Sequence, residues 1–206
     1  MRVAIVGGTG PFGTALAMRL REAEHDVVVG SRDGERAAAT AAELGVHGAS
    51  NDESVRDAEL VVLATKADAA LETARALRGA IGSAPLLCVA SELLFTAQGV
   101  LPSPEPTSLA ERIQFELVGP VVAGLHSLAA STLASAEPPD EDAFVCGDDA
   151  AAKALALELA GKLVAGRAVD AGSLRSARAL EAMTPVLIAV NRRYKAHAGL
   201  RVTGLT

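Results

Sequence analysis

Short apolar runs alternate with amphipathic stretches along most of the chain. Apolar runs bounded by glycine or polar residues are typical of buried strands, and apolar residues spaced three or four apart predict helices. Strands are predicted over 2–6, 26–30, 46–49, 58–65, 85–90, 118–125, 144–147 and 167–171. Helices are predicted from 11, over 35–44, from 51, and over 67–77, 107–117, 151–163 and 174–190. Because these strands are apolar on both faces, we expect a parallel sheet covered by helices on both sides.

The first predicted strand ends in a glycine-rich turn, Gly7-Gly-Thr-Gly-Pro-Phe-Gly13, which opens the first helix. In such a turn Gly8 lets the backbone reverse, Gly10 gives a pyrophosphate room, and Gly13 lets the helix lie close to the strand. Pro11 suits the first helical turn, whose N–H groups then face the phosphates. We therefore predict a dinucleotide site, with a plain structural turn as the alternative, at Gly8, Thr9, Gly10, Pro11, Phe12 and Gly13.

The second strand ends at Ser31-Arg32, where a dinucleotide fold presents the residue that reads the ribose. An acidic side chain there would repel a 2′-phosphate, whereas a guanidinium matches phosphate oxygens. Ser31, Arg32 and Arg36 therefore predict NADP rather than NAD. Two alternatives stay open: that Ser31 and Arg32 are solvated turn residues, and that Asp33 faces the ribose instead of starting the next helix.

The fold class is therefore predicted to be α/β, a Rossmann-type doubly wound mainly parallel sheet with a small C-terminal α-rich domain. We place the dinucleotide-binding domain at 1–135 and the small domain at 136–206, because 136–142 form a polar loop. Further residues at the carboxyl ends of strands should line the cofactor crevice, namely Thr65, Lys66 and Ser91. No H-E-x-x-H, C-x-x-C or G-x-S-x-G pattern occurs, so no metal site or serine nucleophile is predicted.

Composition narrows the classes of partner. The net charge is -6 and aromatic residues make up 2% of the chain, so it offers neither the basic patch nor the stacking platform that nucleic-acid binding requires. We expect no membrane span and no leader, and hence a cytoplasmic location. Cys88 and Cys146 each lie in an apolar run, which favours reduced core thiols over a disulfide.

Several later blocks are more specific than the glycine turn. Together with the opening residues they make the chain resemble the coenzyme F420-dependent NADP oxidoreductases, which are NADPH-dependent reductases of that deazaflavin. The matching blocks are 1–10, 29–32, 124–127, 145–149, 169–173 and 180–185.

This resemblance implies direct hydride transfer between the nicotinamide C4 of NADP(H) and the deazaflavin C5 of F420. It places Thr9, Ser31 and Arg32 around the 2′-phosphate and His126 beside the deazaflavin, as the candidate catalytic residue. It further implies a C-terminal domain that supports a homodimer. Apart from this resemblance, a single histidine such as His126 is more often a structural residue than a catalytic one.

The chain departs from the family pattern where nicotinamide and acceptor meet. The family carries an aliphatic-Pro-aromatic turn where this chain has Thr65-Lys66-Ala67-Asp68, and Ser91-Glu92 is also unusual. Two alternatives therefore stay open: an NADPH-dependent reductase of another small substrate, such as an imine or a ketone, and a non-catalytic NADPH-binding sensor.

A basic cluster near the C-terminus contrasts with the negative net charge; it comprises Arg192, Arg193, Tyr194, Lys195 and Arg201. F420 carries a phosphodiester and an oligoglutamate tail, so we predict that this cluster attracts the tail at long range. Cations that complement a helix dipole are the alternative.

Overall fold

The computed structural model of the chain describes residues 1–205. Its strands are β1 (Arg2–Val6), β2 (Asp26–Ser31), β3 (His47–Ser50), β4 (Leu60–Leu63), β5 (Leu86–Cys88), β6 (Leu93–Thr96), β7 (Gly99–Pro102), β8 (Val121–Gly124), β9 (Ala143–Gly147) and β10 (Ala168–Asp170). Its helices are α1 (Pro11–Glu22), α2 (Gly34–Leu44), α3 (Asn51–Ser54), α4 (Ala67–Ile81), α5 (Leu109–Gln114), α6 (Ala130–Leu133), α7 (Ala150–Leu163) and α8 (Ala177–Tyr194). A 3-10 turn at Leu174–Ser176 precedes α8.

The main sheet has the order β10-β9-β8-β5-β4-β1-β2-β3. Strands β3, β2, β1, β4, β5 and β8 are parallel, and β9 pairs with β8 in the antiparallel direction. The chain leaves β1 toward β2 and β3 and then crosses to β4 on the other side of β1. This reversal makes a crevice at the carboxyl ends of β1 and β4, as in Rossmann folds. The predicted α/β class with a mainly parallel sheet is confirmed.

Both faces of the sheet are covered. On β1, Val3 and Ile5 contribute to one apolar core with α1 and α7, while Ala4 and Val6 contribute to a second core with α4 and α5. Successive side chains of a strand point to opposite faces, so a strand that is apolar throughout must be buried on both. This burial explains why the pattern of short uninterrupted apolar runs predicted the sheet.

The C-terminal region continues the same sheet. Strands β9 and β10 extend it beyond residue 135, so the predicted boundary at 135 falls within one continuous sheet and stays a prediction. The polar loop predicted over 136–142 ends in two buried carboxylates, Glu141 and Asp142. Asp142 accepts hydrogen bonds from Arg167 and from the Val202 amide, which hold the pKa of that carboxyl well below its usual range. These bonds tie the C-terminal tail to the sheet.

Two elements were absent from the sequence prediction. Strands β6 and β7 form an antiparallel hairpin in the proline-bearing stretch after Ala90, and α6 is a single turn after β8. Pro102 is tolerated because it ends a strand at the edge of a two-stranded sheet. No helix among residues 1–205 combines the length and the apolarity needed to cross a membrane. Cys88 and Cys146 are buried free thiols, as predicted.

Candidate functional site

The turn after β1 is built by glycines with different tasks. The Gly8 amide donates to the carbonyls of Ile5 and Gly30, at 3.0 and 2.9 Å, which joins the turn to β2. A Cβ on Gly13 would lie 2.6 Å from the Gly8 Cα, so α1 packs directly on the turn. The left-handed residue is Gly7, with φ of 80°, and so the backbone reversal that the sequence assigned to Gly8 belongs to Gly7.

The start of α1 offers free N–H groups. Its N-cap is Gly10, which has no side chain to cap them, and Pro11 follows in the first turn. A Cβ on Gly10 would meet only the Gly7 carbonyl oxygen, at 3.4 Å, so the space above this residue is open. An uncapped helix start with room in front of it is suited to a phosphate.

The end of β2 carries a basic rim. Asp33 caps α2 by accepting from the Glu35 and Arg36 amides at 3.0 and 3.1 Å, so it starts the helix as the sequence suggested. The Ser31 hydroxyl lies just behind and accepts from the Asp33 amide at 3.2 Å. The guanidinium groups of Arg32 and Arg36 are exposed and form no ion pair within residues 1–205. Both charges are therefore available to an anion.

A cleft of about 780 Å³ joins the turn after β1, the end of β2 and the end of β4; we call it the large cleft. Of the predicted residues, it is lined by Thr9, Gly10, Pro11, Phe12, Ser31, Arg32, Arg36, Thr65 and Lys66. Gly8 and Gly13 lie behind this lining as packing residues, and Ser91 is outside it. The sequence prediction missed Gly7, Asn51, Ala64, Asp68, Ala69, Thr73 and Ala130, which line it too.

A smaller cavity, of about 210 Å³, lies at the carboxyl end of β8; we call it the His126 cavity. It is lined by His126, Ser127, Leu128, Ala129, Thr132, Glu141, Thr184, Leu187, Ile188, Asn191, His197 and Ala198. The sequence prediction did not include Thr184, although it belongs to one of the sequence blocks that carry the family resemblance and could have been found from that block. Nothing in the local sequence pointed to Glu141, Asn191 or His197, which come from the loop before β9, from α8 and from the tail.

His126 is buried, with 6% of its surface exposed, and neither ring nitrogen has a hydrogen-bond partner among the described residues. Burial lowers the pKa of His126 to about 4, and a contact with the Ala90 backbone opposes this shift only in part. The imidazole is therefore neutral at physiological pH and has one donor and one acceptor nitrogen. A buried ring with both nitrogens unpaired is suited to a polar ligand edge.

The two spaces are adjacent. Ala129 lines the His126 cavity and its neighbour Ala130 lines the large cleft. Strand β5 lies between β4 and β8 in the sheet, and Ser91 follows it in the chain. The Ser91 Oγ lies 2.8 Å from the Thr184 hydroxyl. A ligand in the large cleft and a second ligand in the His126 cavity would thus lie next to each other.

The lowered pKa of His126 predicts acid sensitivity. The unfolded chain takes up this proton near pH 6.5 and the folded chain only near pH 4, so stability is lost as pH falls through that window. We expect the protonation of His126 to lower the free energy of unfolding by about 3 kcal/mol over this pH range. His126→Asn should flatten the pH dependence of the unfolding free energy between pH 6.5 and 4, measured by urea titration. Equal curves for the unmodified protein and the variant would contradict the prediction.

The basic cluster is divided in the structure. Arg192 and Arg193, on the last turn of α8, line a groove of about 190 Å³ against the hairpin residues Gln98–Val100. Arg201 instead pairs with Asp140 at 2.8 Å, so it is not part of that groove. Ile188 of α8 lines both this hairpin groove and the His126 cavity, so the two lie side by side. No group of three or more His, Cys, Asp or Glu side chains within residues 1–205 could hold a metal ion.

Comparison with known proteins identifies a family that this chain resembles. A family model described as NADP oxidoreductase coenzyme F420-dependent matches residues 2–87. The F420-dependent NADP reductase of Methanocaldococcus jannaschii is 31% identical over 223 residues, which cover 100% of this chain and 99% of that protein.

Solved structures agree. The structure of an F420-dependent NADP-reductase candidate from Arthrobacter sp. FB24 is 28% identical, has a TM-score of 0.86, and is matched over 98% of this chain and 99% of that one. An imine reductase from Streptomyces aurantiacus, at 20% identity and a TM-score of 0.68 over 94% of this chain and 62% of that one, shares the fold alone. The chain therefore belongs to the family of F420-dependent NADP reductases.

Proposed function

We propose that this protein is an enzyme that transfers a hydride between NADP(H) and the deazaflavin coenzyme F420. The observation that carries this proposal is that a cleft suited to phosphate groups adjoins a cavity that contains a neutral histidine. The chain is also similar to an F420-dependent NADP reductase over its full length. Two adjoining sites suit a reaction in which two ligands exchange a hydride directly.

The large cleft fits NADP(H). The start of α1 would bind the pyrophosphate, with the open space at Gly10 accommodating it. Arg32 and Arg36, supported by Ser31, would hold the 2′-phosphate, since the nearby carboxylate of Asp33 is already used as a helix cap. A guanidinium and a phosphate pair through charge-assisted hydrogen bonds, which NAD cannot form here.

The His126 cavity fits the polar edge of the hydride acceptor. Its neutral imidazole can donate one hydrogen bond and accept another, and Leu128, Leu187 and Ile188 supply apolar walls. The hydride chemistry itself is supplied by the nicotinamide and deazaflavin rings when they are bound. The residues of the chain position these ligands and exclude water, and in this role His126 contacts the acceptor.

The proposal is tested by mixing the purified protein with NADPH and oxidised F420 and following the loss of the deazaflavin visible band. Loss of the band that depends on both the protein and NADPH supports the proposal. Tight NADPH binding without loss of the band would reject F420 as acceptor. An imine or ketone panel would then test the alternative favoured by Lys66 and Asp68, which line the cleft where the family pattern differs.

We further propose that Arg192 and Arg193 attract the acidic tail of F420 along the hairpin groove. Attraction between exposed charges weakens as salt shortens its range to about 8 Å at physiological ionic strength. Changing both arginines to Gln should raise the KM for F420 roughly threefold at low salt and remove its salt dependence, with the KM for NADPH unchanged. Arg175→Gln, in the turn before α8, is the matched control. A KM that keeps its salt dependence in the double variant would refute the role of these arginines.

We also propose that the protein is a cytoplasmic homodimer. Apolar side chains are exposed on the hairpin and on α8, at Leu94, Phe95, Leu101, Val186 and Tyr194. Exposed apolar groups of this kind mark interaction surfaces, and a second copy of the chain is the partner that the family resemblance implies. Sedimentation analysis tests the dimer. The free thiols of Cys88 and Cys146 suit a reducing compartment.

A further inference from the structure

Ser91 is part of a series of hydrogen bonds that runs along one side of the His126 cavity. Its Oγ lies 2.8 Å from Thr184 Oγ1, and Thr184 Oγ1 lies 2.9 Å from the backbone carbonyl oxygen of His126. This series thus connects the end of β5, helix α8 and the end of β8. It fixes the Ser91 hydroxyl beside Thr184, which lines the His126 cavity, and past the carboxyl end of β5, the strand next to β4.

The direction of these hydrogen bonds follows from proton counting. A hydroxyl has one proton, and a carbonyl oxygen can only accept. The Thr184 proton must therefore point to the His126 carbonyl, and the Ser91 proton must point to Thr184. Ser91 keeps its lone pairs but has no proton left for a ligand. Toward any bound molecule it is a hydrogen-bond acceptor only.

The position of Ser91 in the sheet indicates which ligand group it meets. The proposed 2′-phosphate site is at the end of β2 and the proposed pyrophosphate site at α1, so the nicotinamide half of the nucleotide extends the other way, across β4 toward β5. We propose that Ser91 accepts a hydrogen bond from the carboxamide N–H of the nicotinamide. Because Ser91 cannot donate, it selects the carboxamide orientation with its amino group toward β5. This inference rests on the proposed function only in that NADP(H) occupies the large cleft.

The test compares NADP⁺ with its 3-acetylpyridine analogue, in which a methyl group replaces the amide nitrogen and the carbonyl is kept. Calorimetric titration gives both dissociation constants without turnover. We expect the unmodified protein to favour NADP⁺ about three- to tenfold, the value of one hydrogen bond. Ser91→Ala should remove this preference, and Ser91→Thr, which keeps the hydroxyl, should retain it. A purely structural role for Ser91 would weaken both nucleotides equally.

Thr184→Val tests the direction of the hydrogen bonds between Ser91, Thr184 and the His126 carbonyl. It frees the Ser91 proton, which can then bond the carbonyl that both nucleotides share, so the preference for NADP⁺ should fall at least twofold. A preference that is unchanged in Ser91→Ala would overturn this inference while leaving the proposed function intact. Absence of NADP⁺ binding would overturn both. Binding of NADP⁺ without reduction of F420 would reject the proposed acceptor alone, because the comparison of nucleotides needs no acceptor.

Discussion

Arg32→Ala is expected to raise the dissociation constant for NADPH roughly 10- to 100-fold, because each charge-assisted hydrogen bond to a phosphate contributes about 1.5 to 3 kcal/mol. The dissociation constant for NADH should change by less than about twofold, since its ribose carries no phosphate for the guanidinium to hold. Adding Arg36→Ala should remove most of the remaining preference for NADPH. Fluorescence titration with both reduced nucleotides measures each constant directly.

A suitable control is Arg56→Ala. Arg56 is also exposed, but it pairs with Asp52 at 2.7 Å and does not line the large cleft. It should leave both constants unchanged, which separates a specific contact from a general loss of positive charge. If Arg32→Ala weakened NADH as much as NADPH, the guanidinium would not distinguish the 2′-phosphate, and the assignment of NADP would fail.

The part of the site that the sequence predicted is local in the chain. Gly7–Gly13 and Ser31–Arg36 each form one turn between a strand and a helix, and such a turn carries its own geometric requirements. Asp33 could be assigned as a cap because Asp is favoured at that position and its partners follow within three residues. Local chemistry therefore identified most of the residues that line the cleft between β1 and β2.

The part that the sequence did not predict is assembled from distant segments. The His126 cavity brings together the end of β8, the loop before β9, helix α8 and the tail. Glu141 belongs to a stretch that was predicted only as a polar loop, yet Gly199 of the tail packs against its side chain, which is buried. When segments that are distant in the sequence bury a side chain, the local sequence shows no periodic pattern. Hydrophobic patterning therefore cannot predict such burial.

Gly13→Ala is expected to have the largest effect on the fold and on cofactor binding together. The new Cβ would lie 2.6 Å from the Gly8 Cα and 2.7 Å from the Gly7 carbonyl oxygen, so α1 must move away from the turn. Overpacking of this kind costs about 1 to 3 kcal/mol, and more where the clash is with backbone. Displacement of α1 also withdraws its N–H groups from the pyrophosphate site. We therefore expect a lower melting temperature and no measurable NADPH binding.

Two other glycines make this prediction specific. Gly79, in the exposed interior of α4, has no atom within 4 Å of an added Cβ, so Gly79→Ala should stabilise the protein by up to about 1 kcal/mol. Gly10→Ala meets only one atom, at 3.4 Å, so the fold should survive. Its methyl group would instead occupy the space in front of α1, and NADPH affinity should fall at least tenfold. A Gly10→Ala protein that melts normally and binds NADPH as tightly as the unmodified protein would show that the pyrophosphate does not approach this turn.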